Sequence, residues 1–471
     1  MQNTSRREFV KTAAAAAVMS QIPSMLKAQQ APSMNVLGAN SRINVACVGY
    51  SDRFRMSLFP SFCHAKDKMK NVEMVAVADL WKKRLYEHAK PEMEKILGHK
   101  VDTYVSDEEL YATAKNVDAV IISTADFQHA RHAVHAVNAG KDAYCEKPLA
   151  EDMLSANLVL DAVDAKRKAG FAPGAVVQLG SQRRSARWYN AAKEWFSKPE
   201  FGELCFANLT YNVNEPRRWR RDEKLVASCR EEDVDWKMWL LDRPYVKFDP
   251  KKYLEYRLYW PYSSGIPGQW MCHSIDTISW FTGIPYPTSC VASGGLYQWV
   301  DGRQSFDTYA ATFEYGQTGV KGAGFQVQFN SHMTNCDFGV QDRYYSTQGC
   351  IDLADGTFSN KGVTGAEIRA QPLSDARDNN PEGYKAKYGG GDVITERHIT
   401  NWLNCIRERK DPVAPIEAGY NHSVALIMAN ASARAGGRAT FDAKARQVMV
   451  NGKPFTGYDS TAVGFFDKLF S

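Results

Sequence analysis

What the sequence lacks narrows the field first. Its 471 residues hold no apolar run of the ~20 residues needed to cross a bilayer. Strong charge of one sign is missing too. The formal net charge of +5 falls to +2 once residues 1–31 are set aside, where Arg6, Arg7, Lys11 and Lys27 face only Glu8. No basic surface for nucleic acid or for an anionic membrane is indicated. The ten cysteines are scattered, with no C-x-x-C pair and no metal-ligand spacing, which excludes zinc-ribbon and dithiol motifs. Cys47, and Cys405 among Trp402, Leu403 and Ile406, sit in apolar runs and read as small buried hydrophobes. No internal repeat or low-complexity tract follows the first thirty-odd residues, which excludes solenoids and linkers. What remains is ordinary globular composition, enough for two or three domains.

The N-terminus carries Ser5-Arg6-Arg7-Glu8-Phe9-Val10-Lys11, a short apolar run over 12–19, and Ala/Gln/Ser/Pro-rich sequence to Ala31. A basic region, a short apolar region and a small-residue zone describe a signal peptide. The paired arginines predict twin-arginine export over residues 1–31, to the periplasm or beyond. The plainer alternative is a frayed Ala-rich helix.

From Ile43 the pattern changes. Ile43-Asn44-Val45-Ala46-Cys47-Val48-Gly49 predicts a buried parallel strand ending in glycine, and residues 72–79 a second strand ending in Asp79. Residues 117–124 and 142–145 read as strands around a helix over 129–140. Alternating strands and helices mean an α/β domain built on a doubly wound parallel sheet, placed at 42–170. Gly49 would turn the chain toward a pyrophosphate at the next helix's start. Asp79 would take the ribose hydroxyls and disfavour a 2′-phosphate, so NAD is expected. The dinucleotide fingerprint is damaged, however. Gly49-Tyr50-Ser51-Asp52-Arg53-Phe54 keeps one glycine of three. Ser51 is small enough for close approach, and Arg53 or Arg55 is a candidate phosphate contact.

Specific motifs follow. They are Ala139-Gly140-Lys141-Asp142-Ala143-Tyr144-Cys145-Glu146-Lys147-Pro148-Leu149, Gln178-Leu179-Gly180-Ser181-Gln182-Arg183-Arg184, and Gly268-Gln269-Trp270-Met271-Cys272-His273-Ser274-Ile275-Asp276, with a further stretch over 398–407. Together they resemble the glucose–fructose oxidoreductase/inositol dehydrogenase/MocA (Gfo/Idh/MocA) family across about residues 42–450. The resemblance implies an N-terminal Rossmann domain. It also implies a C-terminal α+β domain at 175–450 with a large open, mostly antiparallel sheet and helices packing back on the first domain. It implies NAD held by Gly49, Ser51, Asp79, Thr124, His129, Glu146, Lys147 and Gln182, with Lys147 and His273 catalytic. Homo-oligomers are common among relatives.

Gln269, His273 and Asp276 fall at i, i+4 and i+7, so helical geometry predicts one shared face. They are candidate substrate contacts together with Arg184 and Tyr256, the latter in an aromatic-rich stretch over 253–262. Many relatives carry aspartate where Gln269 stands. No third ligand accompanies His273 and Asp276, and no metal is expected.

Export implies that the cofactor is retained, because no dinucleotide pool surrounds an exported enzyme. The expected activity is NAD-dependent oxidation of a carbohydrate or glycoside hydroxyl with internally recycled NAD. One alternative is an NAD-dependent glycoside hydrolase working by transient oxidation, elimination, water addition and re-reduction. The other is a carbohydrate-binding protein without catalysis.

Overall fold

The computed structural model describes residues 42–170, 174–215, 217–374 and 378–456; the twin-arginine segment lies outside them. Six parallel strands form the first sheet. They are β1 (Ile43–Val48), β2 (Val72–Ala78), β3 (Asp102–Tyr104), β4 (Ala119–Ile122), β5 (Asp142–Cys145) and β6 (Val177–Leu179). Their order is β3-β2-β1-β4-β5-β6. Val45, Ala46, Cys47 and all of β4 are fully buried, because helices cover both faces of the sheet. These helices include α1 (Phe59–Met69), α2 (His129–Asn138) and α3 (Met153–Lys168). Strand order reverses between β1 and β4, which opens a crevice beyond their carboxyl ends.

The second sheet has eleven strands. Its centre pairs β7 (Leu204–Tyr211) parallel with β10 (Gly324–His332). On the β7 side it continues antiparallel through β11 (Val340–Ser346), β12 (Cys350–Asp352), β13 (Thr357–Ser359) and β14 (Ala370–Pro372). Beyond β10 come β9 (Thr308–Gly316), β8 (Ser289–Gly295), β15 (Ala439–Asp442), β16 (Gln447–Val450) and β17 (Lys453–Pro454). Burial alternates along β9, so one face packs inward.

Three helices tie the two sheets together. In α4 (Cys272–Thr282), Ile275, Ile278 and Phe281 enter the core shared with β9 and β10. Trp402, Leu403 and Ile406 of α5 (Val393–Glu408) pack with Ile43, Phe62 and Val176 of the first domain. α6 (Ile416–Ala435) is apolar nearly all round because it runs between layers. Its Gly419 permits this: a Cβ there would stand 2.7 Å from Leu179 and 2.8 Å from Leu149. A methyl group at this point would push the helix off the β5–β6 end of the sheet.

Candidate active site

The crevice begins at Gly49. Its φ is +88°, and a Cβ would meet Thr124 Cγ2 at 2.7 Å and the Ser123 carbonyl at 2.9 Å. Only glycine permits both the turn and this approach of β1 to the end of β4. Ser51 then caps the next helix, accepting from the Phe54 N–H at 3.3 Å while its hydroxyl meets Ser123 Oγ at 2.7 Å. Phe54 stands where the third fingerprint glycine would be. It turns away into the core, stacked on Phe59, and a widened turn over Phe54–Leu58 carries the chain into α1. Two missing glycines are thus answered by a small capping residue and by a changed helix start.

Arg53 and Arg55 diverge. Arg53 Nε donates to Glu146 Oε1 at 2.9 Å, and the Gln182 amide lies between Arg53 and the Gly180 carbonyl. The Glu146 carboxylate crowds Gly180, where a Cβ would sit 2.9 Å away. Glu146 and Gln182 therefore fix the loops around the crevice through Arg53. Arg55 faces the cavity at its mouth, 48% exposed.

Asp79 lies in the cavity wall, but its oxygens are engaged. Arg84 grips them with Nε at 3.0 Å and Nη2 at 2.9 Å, and the Tyr50 and Trp81 amides donate at 2.8 and 2.9 Å. The expected lone carboxylate is instead half of an ion pair. Paired with Arg84, Asp79 does not by its charge alone repel a 2′-phosphate, contrary to the expectation from the sequence.

A cavity of about 360 Å³ runs past Gly49, Asp79, Thr124 and Tyr256. A smaller one of about 70 Å³ shares Ser51, Ser123 and Thr124 with it and reaches His129, Glu146, Lys147 and Gln269. His129 Nδ1 donates to the Pro148 carbonyl at 2.7 Å, which leaves Nε2 as acceptor. That Nε2 and Thr124 Oγ1 are both buried without a partner among the described residues. Buried polar atoms are nearly always satisfied, so two orphans around one small cavity mark a place for a polar ligand.

Lys147 projects from the end of β5 and donates from Nζ to the Gln269 backbone carbonyl at 2.6 Å. His273 follows Gln269 by four residues. Burial, and then the cations Lys147, Arg183 and Arg53, push its imidazole well below the ordinary range, so it is neutral at physiological pH. His422 of α6 belongs to the same electrostatic neighbourhood. Its Nε2 accepts from the Leu149 N–H at 3.2 Å, and burial brings it down to about 4. Sequence reasoning missed His422, because one histidine on an apolar helix carries no signal of its partner 273 residues earlier.

A widened turn over Pro267–Met271 precedes α4, and the side chains of Gln269 and Asp276 are engaged by different partners. The Gln269 amide donates to Asp126 Oδ2 at 2.5 Å, and its oxygen accepts from Arg257 Nε at 2.9 Å. Asp126 also accepts from Ser263 at 2.6 Å and from the Tyr256 hydroxyl at 3.4 Å. Gln269 and Tyr256 thus belong to one polar network, and Tyr256 still lines the larger cavity.

Asp276 and Arg184 require correction as substrate contacts. They grip each other bidentately at 2.8 and 2.9 Å and are buried, with Arg184 over the Trp280 ring. The pair bolts the Gln182–Ser185 turn to α4 and is closed to a substrate.

One further cluster escaped the sequence. Asp107, His132 and His135 offer three ligand atoms within 4.8 Å of one another. Both imidazole Nδ1 atoms lie 2.8 Å from Asp107 Oδ2. Burial pushes Asp107 up, but the two imidazoles hold it well below the carboxylate range. Hydrogen bonding accounts for the grouping.

A parallel β3-β2-β1-β4-β5-β6 sheet with its cavity at the reversal point, and a lysine at the end of β5, have the architecture of a nucleotide-binding Rossmann domain. Residues 43–172 match the Gfo/Idh/MocA "Oxidoreductase family, NAD-binding Rossmann fold", and form an NAD-binding domain of that family. The inositol 2-dehydrogenase of Cereibacter sphaeroides is 31% identical over 141 residues, 30% of this chain and 39% of that enzyme. The aligned stretch therefore spans well under half of this curated relative. The complete fold is similar to myo-inositol 2-dehydrogenase from Lactobacillus plantarum, with a TM-score of 0.58 at 18% identity over 85% of this chain and 100% of that one. It is also similar to the WlbA dehydrogenase of Bordetella pertussis in complex with NADH and UDP-GlcNAcA, with a TM-score of 0.59 at 16% identity over 86% and 99%. These likenesses establish the two-domain fold. Gly49, the orphan polar atoms and the arginine-lined cavity fit NAD.

Proposed function

We propose that this protein is an NAD-dependent oxidoreductase acting on a hydroxyl of a carbohydrate or cyclitol, with the cofactor retained and recycled. The observation that carries this reading is Lys147, which lines the smaller cavity from the end of β5 and donates to the carbonyl of Gln269, four residues before His273. The Lys147 ammonium is a donor to the substrate oxygen and stabilises negative charge developing there. His273, uncharged at neutral pH, accepts the hydroxyl proton. Bound NAD supplies the hydride acceptor. Arg257 and Asp126 hold Gln269 in place, and Gln269 in turn holds the ammonium until substrate arrives. Relatives named for inositol and sugar-nucleotide chemistry support a polyhydroxylated substrate. The leader over 1–31 supports action outside the cytoplasm, where a retained cofactor is required.

The test uses purified full-length protein. NAD released on denaturation is measured, and polyols and chromogenic glycosides of both anomers are screened with and without added NAD. NADH accumulation identifies a dehydrogenase, and reduction of a second carbohydrate identifies internal recycling. Aglycone release without NADH identifies a glycoside hydrolase. Sugar binding with none of these leaves a binding protein.

A further inference from the structure

The loop after β1 places an acid where a diphosphate must come. Asp52 follows Ser51 directly, in the first turn of the helix whose N-terminus faces the larger cavity. A carboxylate there repels phosphate unless a cation answers it. Arg55 approaches Asp52 at 3.8 Å within the same turn. The stronger answer comes from the second domain. Arg221 Nη1 donates to Asp52 Oδ2 at 2.5 Å, across the cleft.

Arg221 is anchored at its backbone and half-open at its tip. Its N–H donates to Glu255 Oε1 at 2.7 Å, and the same buried carboxylate takes Arg220 Nη1 at 2.6 Å. Its Nε reaches the Leu254 carbonyl at 3.4 Å. The side chain itself is 31% exposed and lines the larger cavity beside Asp52, Arg53 and Arg55.

We propose that Arg221 is a ligand of the cofactor's diphosphate, supplied by the second domain, and that Asp52 is its resting partner. This rests on the larger cavity being the dinucleotide site. The planar guanidinium suits two phosphate oxygens at once, and phosphate outcompetes a half-exposed carboxylate for it. With Arg221 on the diphosphate, dinucleotide release breaks a bond that spans both domains. Slow release follows, as a recycled cofactor requires.

The experiment compares NAD release from loaded full-length protein, followed by protein fluorescence after dilution, for wild type, Arg221→Gln and Asp52→Ala. Both side chains are part-exposed, so the variants fold, which circular dichroism checks. Arg221→Gln is expected to release NAD roughly ten- to hundredfold faster. Asp52→Ala is expected to release it at the wild-type rate or more slowly, because it frees the arginine and removes a repelling charge. Equal acceleration in both variants overturns the proposal, since a plain interdomain ion pair predicts that result. An unchanged rate in Arg221→Gln overturns it as well. Wild-type protein that neither retains nor binds NAD refutes the assignment of the cavity itself, a failure visible before any variant is compared.

Discussion

The ammonium of Lys147 donates a 2.6 Å hydrogen bond to the backbone carbonyl of Gln269. One partner ends a strand of the parallel sheet, and the other opens the helical run that carries His273. The bond therefore joins the two domains at the place where chemistry is proposed. Asp126 and Arg257 fix the Gln269 side chain from both sides, so the carbonyl holds a set position.

Replacing Lys147 by Ala is expected to lower kcat by about 10²–10⁴-fold per NAD-loaded molecule, with NAD content measured alongside. Lys147→Arg does not restore the rate, because a guanidinium cannot take the compact position of an ammonium. His273→Ala falls in the same range. In wild type the acid limb of kcat/KM lies well below the usual imidazole range of about 6.5, since His273 binds its proton only at low pH. A steady-state pH profile checks this, and an acid limb at the ordinary value removes His273 from the role.

Arg184 and Asp276 make a stability prediction. Arg184→Met leaves a buried carboxylate unpaired and is expected to cost about 3–5 kcal/mol in denaturant unfolding. Replacing both residues by apolar side chains costs less. KM of the folded fraction stays near wild type in each variant. A raised KM at unchanged stability contradicts the structural assignment.

Much of the fold and part of the site are legible in the sequence. The apolar runs of β1, β2 and β4 announce buried parallel strands, and Glu146-Lys147-Pro148 announces the end of β5. Gly49 is legible because a single turn requires it. The partners of charged side chains are not. Asp276 finds Arg184 92 residues away, and Asp79 takes Arg84 where a ribose was expected. Local spacing does not encode which carboxylate a guanidinium will reach. The widened turns at Phe54–Leu58 and Pro267–Met271 were equally hidden. His422 and the Asp107–His132–His135 cluster needed three dimensions to be seen at all.

Glu151 gives a pH-dependent prediction of known sign. It is buried, accepts from the Ser264 hydroxyl at 3.0 Å through Oε1, and has no partner for Oε2 among the described residues. Burial, then nearby Asp126, raises its pKa, so the folded state keeps a proton that the unfolded chain loses above about 4.5. Stability from this group is present at low pH and is lost as pH rises toward the raised value. Glu151→Gln is neutral throughout. It is expected to lie nearest wild type around pH 4.5 and to exceed it by a margin that grows as pH rises toward 8 in urea unfolding. A constant difference across that range contradicts the protonated carboxyl.

Gly49→Ala meets both a left-handed φ of +88° and Thr124 at 2.7 Å. It is expected to cost about 1–3 kcal/mol and to weaken NAD binding. Calorimetry on the folded variant checks both.

The most direct test mixes NAD-loaded full-length protein, freed of excess cofactor, with a panel of polyols and sugars and follows NADH absorbance within one turnover. A transient rise in wild type, abolished in Lys147→Ala protein that still carries NAD, is the predicted result. A loaded wild type that shows no transient with any member of the panel, or a transient that survives loss of Lys147, contradicts the account.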